Sequence, residues 1–301
     1  MTFCEALDYI HSLLKFGIHP GLSRMDTLLQ ILGNPHKNIK CVHVAGTNGK
    51  GSTSTAISNI LIEAGYNVGL YTSPYVTDFL ERVQYNGKPI DKDLFSQCVE
   101  IIKPEIEKMS KEGAQITEFE ALTATAFLCF SKLQVDVLVL EVGLGGRLDA
   151  TNVIETPLVN VITSLSLDHT GVLGDTIEQI ATEKCGTIKE NGTLVSAYNQ
   201  PENALQVIKR ICKEQNNTLI IPECKEIIWG GNRLKNEYNK KSGDELAKRA
   251  IKKNEEEIKK IEKIYDDNAK MLGEKKVKEL YTQINALTAQ ELQKQNNKKG
   301  R

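Results

Sequence analysis

Residues 46–53 read Gly-Thr-Asn-Gly-Lys-Gly-Ser-Thr, and this octet constrains the fold more than any other stretch of the chain. A short β-rich run at 40–44 precedes it, and a helical pattern follows to about residue 63. A strand that turns on glycines into a helix points successive backbone N–H groups into one concavity. The helix N-terminus adds partial positive charge there. Such a turn suits an anion. Lys50 would offset the charge of terminal phosphates, and Ser52 or Thr53 could reach a magnesium ion. The octet departs from the regular phosphate-loop pattern, which needs Gly where Val44 stands and Ser or Thr where Gly51 stands. The order of strand, loop and helix favours a nucleotide loop over a Gly-rich connection with an incidental lysine.

The surrounding pattern supplies the rest of the architecture. Apolar spacing predicts helices over 5–15, 25–32, 92–111, 118–132, 176–182 and 202–213. Extended runs fall at 67–71, 135–142, 158–163, 193–196 and 218–221, and Asn86-Gly87 marks a hairpin within 84–90. Strands alternating with helices imply an α/β fold, a mostly parallel sheet with helices on both faces. Ligands of such sheets bind beyond the carboxyl ends of the strands. Three candidates fall there. Glu141 closes an apolar run ahead of Gly143-Leu144-Gly145-Gly146, where a carboxylate could hold Mg²⁺ directly or through water. Ser73 follows the run at 67–71, and Asp168-His169 follows the run at 158–163. Singly, a turn serine, a strand-end glutamate and a capping histidine are ordinary; their common sheet edge sets them apart. Lys184 stands near a helix end, where a cation offsets the helix dipole, or where CO₂ could convert its amine into a carboxylate-like carbamate ligand.

Composition bounds the class. The chain has 301 residues, 40% of them hydrophobic, with a net charge of −1. No apolar run approaches the roughly 18–20 residues needed to cross a bilayer. Glu5 and Asp8 interrupt the first apolar stretch, so no signal peptide is expected. Seven scattered cysteines without a C-x-x-C pair argue against a disulfide framework or a metal cluster, and for a cytoplasmic protein. The near-zero net charge hides a step. The segment from residue 231 on is rich in Lys and Arg, whereas the first 230 residues carry an acidic excess. The boundary is expected at Trp229-Gly230-Gly231, giving a domain at 1–229 and a basic helical tail at 230–301. Ile251, Ile258, Ile261 and Ile264 give that tail a narrow apolar stripe that could self-associate; nucleic-acid binding is not expected, because Glu and Asp interleave its lysines.

The motifs together resemble one family. His43-Val44-Ala45-Gly46-Thr47-Asn48-Gly49-Lys50-Gly51-Ser52, then Tyr71-Thr72-Ser73-Pro74, then the block from Glu141 to Thr151-Asn152, then Leu167-Asp168-His169, look in that order like the folylpolyglutamate synthases and their bifunctional dihydrofolate synthase relatives, within the Mur ligase superfamily. The block 141–152 is the specific one; the phosphate loop is shared more widely. The resemblance implies that Gly46, Thr47, Asn48, Gly49, Lys50, Gly51, Ser52 and Thr53 bind ATP. It implies Ser73, Glu141 and His169 as Mg²⁺ ligands, and Lys50, Lys184 and His169 as catalytic residues, with Lys184 carbamylated. Gly21-Leu22-Ser23-Arg24 and Thr117-Glu118-Phe119-Glu120 match segments on the pterin side, which makes Arg24, Thr117 and Phe119 substrate residues. Tyr75 stands where many members have His. The implied reaction phosphorylates a folate or dihydropteroate carboxylate with ATP, and the amine of L-glutamate then attacks the acyl phosphate.

The resemblance ends near residue 229. The family's second domain, with its Asp-Gly-Ala-His-Asn-Pro motif, finds no match in the basic tail. The expectation is therefore weak ATP binding and little ligation by this chain. Two alternatives remain: a Mur-type ligase acting on a cell-wall peptide precursor, and a non-catalytic remnant that associates through its tail.

Overall fold

A computed structural model describes residues 1–75 and 77–222, and the expected tail at 230–301 with its isoleucine stripe lies outside the described residues. Thr2 opens the fold with a capping box: its hydroxyl accepts the Glu5 N–H while the Glu5 carboxylate accepts the Thr2 N–H at 2.7 Å. Helix α1 (Phe3–Ser12) therefore starts two residues before the predicted 5–15 span, and it ends earlier, where residues 13–16 tighten into a 3₁₀ turn before Gly17. The chain continues through α2 (Ser23–Ile31), β1 (Cys41–Ala45), α3 (Lys50–Glu63) and β2 (Val68–Tyr71). Next come β3 (Val83–Tyr85), β4 (Lys88–Pro89), α4 (Lys92–Lys111), α5 (Glu118–Lys132) and β5 (Val137–Glu141). The series closes with β6 (Val159–Ile162), α6 (Thr170–Leu173), α7 (Ile177–Cys185), β7 (Thr193–Ser196), α8 (Glu202–Glu214) and β8 (Thr218–Ile220).

The predicted elements recur with ends shifted by a few residues. The one-turn helix α6 and 3₁₀ turns at 79–82 and 150–153 were not predicted, because pieces of one turn carry no period to read. Asn86 and Gly87 both adopt positive φ, at 47° and 74°, which a two-residue hairpin loop between β3 and β4 requires.

The eight strands form one sheet in the order β4-β3-β2-β5-β1-β6-β7-β8. In sheet order the five pairings from β2 through β8 are parallel, and the β2–β3 and β3–β4 pairings at the other end are antiparallel. Side chains alternate across the central strands. Leu138 and Leu140 of β5 join the core under α1, α2, α4 and α5, while Val139 meets Val44, Val68 and Leu70 in the core under α3. A third core packs α7 and α8 around Ala181, Leu194 and Ile208. Burial of each such side chain contributes roughly 1.5–3 kcal/mol, and it drives helices onto both faces. With the faces covered, the carboxyl ends of β2, β5, β1 and β6 lie side by side.

Candidate functional site

Backbone shape sets the loop after β1. Gly46 has φ 147°, and a Cβ there would fall 1.8 Å from Thr163 Oγ1, so only glycine fits. The N–H groups of Thr47 and Asn48 donate to the Ser164 carbonyl at 2.9 and 3.2 Å. Thr47 Oγ1 donates to the Ser166 carbonyl and accepts the Ser166 N–H, each at 3.2 Å. The loop is thus clamped to the segment after β6. Gly49, at φ 83°, turns the chain into α3, whose first turn presents the N–H groups of Lys50, Gly51 and Ser52. Lys50 Nζ donates to the Thr47 carbonyl at 3.3 Å, which leaves further N–H donors on the ammonium.

Glu141 ends β5 and is 3% exposed. Its Oε2 accepts the Ser73 N–H at 3.3 Å, and a Cβ on Gly51 would lie 3.5 Å from the same oxygen. Burial pushes its carboxyl up to about 7, opposed by the Ser73 N–H and by the charge on Lys50. Lys184, on α7, is buried and donates to the Gly46 carbonyl at 2.9 Å. Burial first, and Lys50 second, push its ammonium down to about 8. Asp168 and His169 stand on the β6 side. His169 has φ 47° and is largely exposed, with Nε2 3.6 Å from Asp168 Oδ2.

A cavity of about 680 Å³ opens over these strand ends. Thr47, Lys50, Ser73, Asp168 and His169 line it, and Glu141 is joined to it through Ser73. The first turn of α5 also borders the cavity. Thr117 caps that helix, and Phe119 lies so close to Gly143 that a Cβ there would be 2.5 Å from the ring. Both line the cavity; Arg24 does not, but pairs with Glu120, which does, at 3.0 Å. Sequence reasoning singled out neither Arg82 nor Asp149 as a site residue. Arg82 is buried, donates to Glu118 at 3.0 Å and lies 5.7 Å from the Phe79 and Phe119 rings. The available signal was a lone basic residue beside the apolar pair Phe79-Leu80. A second cavity, about 710 Å³ between α7 and α8, contains none of the phosphate-loop residues.

The donor set bears on a divalent cation. Among the described residues, no three His, Cys, Asp or Glu side chains cluster as a metal cage. Mg²⁺ does not need one, since it commonly takes one or two protein oxygens plus phosphate and water. A buried carboxylate beside a hydroxyl residue and an anion-binding helix end suits that role, so Glu141 and Ser73 fit it. The exposed position of His169 on Asp168 makes it the weaker candidate ligand.

The family model described as the Mur ligase middle domain matches residues 44–290. The dihydrofolate synthase/folylpolyglutamate synthase of Bacillus subtilis is 52% identical over 210 residues, 69% of this chain and 48% of that protein. A Mycobacterium tuberculosis folylpolyglutamate synthase structure complexed with ADP aligns with TM-score 0.68 and 32% identity, over 74% of this chain and 51% of that one. A solved FPGS–AMPPCP–folate complex aligns with TM-score 0.68 and 38% identity, over 73% of this chain and 54% of that one. The chain spans about half the length of these relatives.

Proposed function

Because the chain belongs to the Mur ligase middle-domain family, we propose that it serves an ATP-dependent carbon–nitrogen ligase joining L-glutamate to folate, with dihydropteroate as a second acceptor. The observation that carries this reading is the meeting of Lys50, Ser73, Asp168 and His169 around one cavity, with Glu141 hydrogen-bonded at its edge. Its similarity to folylpolyglutamate and dihydrofolate synthases supports the choice of acceptor.

A carboxylate is a poor electrophile, so the acceptor is first phosphorylated by ATP, releasing ADP. The glutamate amine then attacks the acyl carbon, and phosphate leaves. The free N–H groups at the start of α3 hold phosphate oxygens, and Lys50 offsets charge on the transferred group. Glu141, Ser73 and His169 would hold Mg²⁺, which when bound neutralises part of the same charge. Lys184 fixes the Gly46 carbonyl and so the start of the loop. With its ammonium pushed down to about 8, a useful fraction of neutral amine is present near neutrality. That amine can attack CO₂ and lose a proton to give the carbamate. Thr117 and Phe119 belong to the acceptor side, and Arg24 acts on it from outside the cavity through Glu120. This reading sets the reaction in the cytoplasm, where thiols such as Cys41, Cys98 and Cys129 stay reduced; among the described residues no helix is long and apolar enough to cross a membrane.

Nucleotide binding tests the proposal. AMPPCP with Mg²⁺ should bind, and Lys50→Met and Glu141→Gln should each weaken it by about tenfold or more. ADP formation should then require tetrahydrofolate or dihydropteroate. Stimulation by a UDP-muramyl peptide instead would move the chain to the Mur-type peptide ligases, and absence of AMPPCP binding would remove the nucleotide reading. Glutamate-dependent phosphate release at about 1 s⁻¹ or faster would overturn the expectation of little ligation by this chain.

A further inference from the structure

His43 sits in the middle of β1, fully buried, and takes no part in the chemistry above. Its Nε2 lies 2.9 Å from Thr151 Oγ1. The Thr151 hydroxyl has a single proton, and that proton points to Asp149 Oδ1 at 2.5 Å. Asp149 is held as the acceptor: Oδ1 also takes the Thr151 N–H at 3.0 Å and Oδ2 the Leu144 N–H at 2.8 Å, and these bonds favour the carboxylate against the burial that pushes its carboxyl up. With its proton on Asp149, Thr151 Oγ1 has only lone pairs to offer the imidazole, an arrangement that calls for the ring proton on Nε2. Nδ1 is buried and makes no hydrogen bond. A second proton there would be an unpaired donor in the core, and burial together with the charge on Lys189 pushes the ring down to about 3.

The chain of bonds ends at the cavity. Leu144 belongs to the glycine loop 143–146, which lines the same cavity as Lys50 and Ser73. A Cβ on Gly146 would lie 2.7 Å from the Lys184 carbonyl, so the loop also bears on the helix that holds Lys184. An apolar side chain at 43 would leave the Thr151 oxygen short of a donor and free its hydroxyl to rotate away from Asp149.

We infer that His43 is a positioning residue: as its Nε2–H tautomer it fixes the Thr151 hydroxyl, which aims the Asp149 carboxylate at the Leu144 N–H and so sets the glycine loop. The inference rests on the functional reading above only in treating that loop as part of the acceptor site.

Nitrogen-15 spectra of histidine in the full chain test the tautomer. The His43 ring should show a protonated Nε2 and a bare Nδ1, unchanged from pH 5 to 8. An Nδ1–H tautomer, or a His43 ring titrating in that window, would overturn the inference. Amide exchange at Leu144 tests the relay. It should quicken by about tenfold or more in His43→Leu, and His43→Gln, which keeps an N–H donor, should restore most of the protection. Equal exchange in the wild type and His43→Leu overturns the inference. Should the Leu variant not fold, the wild-type tautomer and the Gln variant still decide. Dihydropteroate affinity should fall in His43→Leu and recover in His43→Gln. If the wild type binds no dihydropteroate, the acceptor reading fails while the tautomer and exchange results stand.

Discussion

On the phosphate side of the cavity the geometry is carried by backbone: glycine dihedrals at 46 and 49, and N–H groups of Thr47 and Asn48 clamped on Ser164. On the α5 side it is carried by side chains, with Arg82 on Glu118 and Arg24 on Glu120, both at 3.0 Å, on either side of Phe119. Each half is vulnerable in its own way. A backbone-built half fails when a Cβ cannot fit, whereas a half built from ion pairs fails when one partner leaves the other charge buried.

The largest effect is expected from Gly46→Ala. Its new Cβ meets Thr163 at a distance no packing allows, and the residue sits at φ 147°. Backbone strain and overpacking together should cost about 4 kcal/mol or more, read as a lower urea midpoint or loss of soluble protein. Wild-type stability in this variant would break the comparison. Arg82→Met comes next: it strands the Glu118 carboxylate beside Phe119 and should cost about 3–5 kcal/mol in denaturant unfolding. A neutral result would mean that the α5 half, too, stands on apolar packing.

Lys184 sharpens the comparison by pH. Its folded value of about 8 lies below the ordinary 10.5, so the fold disfavours the protonated form. That cost is fully present below pH 8 and fades as pH rises through 8 towards 10.5. The stability of Lys184→Met relative to wild type should therefore be most favourable below pH 8. It should decline on the order of 3 kcal/mol by pH 10.5. A flat difference across that window would show that burial of the amine carries no such cost. The smallest effect is expected at the rim, where Arg147 is 54% exposed and pairs with Glu183 at 2.9 Å. Arg147→Ala should shift stability by less than about 1 kcal/mol in the same assay, and less still at high salt.

The two halves also differ in how readily the sequence reveals them. Glycines that permit a tight anion turn are local requirements, so residues 46–53 announced a strand–loop–helix corner before any coordinates. The near-continuous apolar run ending at Glu141 announced a strand buried on both faces, and it is one. By contrast, the partners of Arg82 and Arg24 lie 36 and 96 positions away, and no period or spacing links them. Asp149 was visible only as a letter in a motif; its hold on Leu144 became apparent from the fold. One-turn pieces such as α6 were missed for the same local reason that α4 was found: twenty residues show a helical period, and four do not.

The α/β alternation, the order of strands and helices along the chain, the glycine-built anion loop and the resemblance to folate ligases can all be read from the residues alone. These are written in local periodicity and short motifs, which neighbouring residues impose on one another. That β2, β5, β1 and β6 lie adjacent, bringing Ser73, Glu141 and Lys50 together, emerges from the folded chain. Only it set the His43 Nε2 within 2.9 Å of the Thr151 hydroxyl. Those facts depend on packing and hydrogen bonds between residues about a hundred positions apart, as His43 and Thr151 are, and burial, not sequence distance, sets their chemistry.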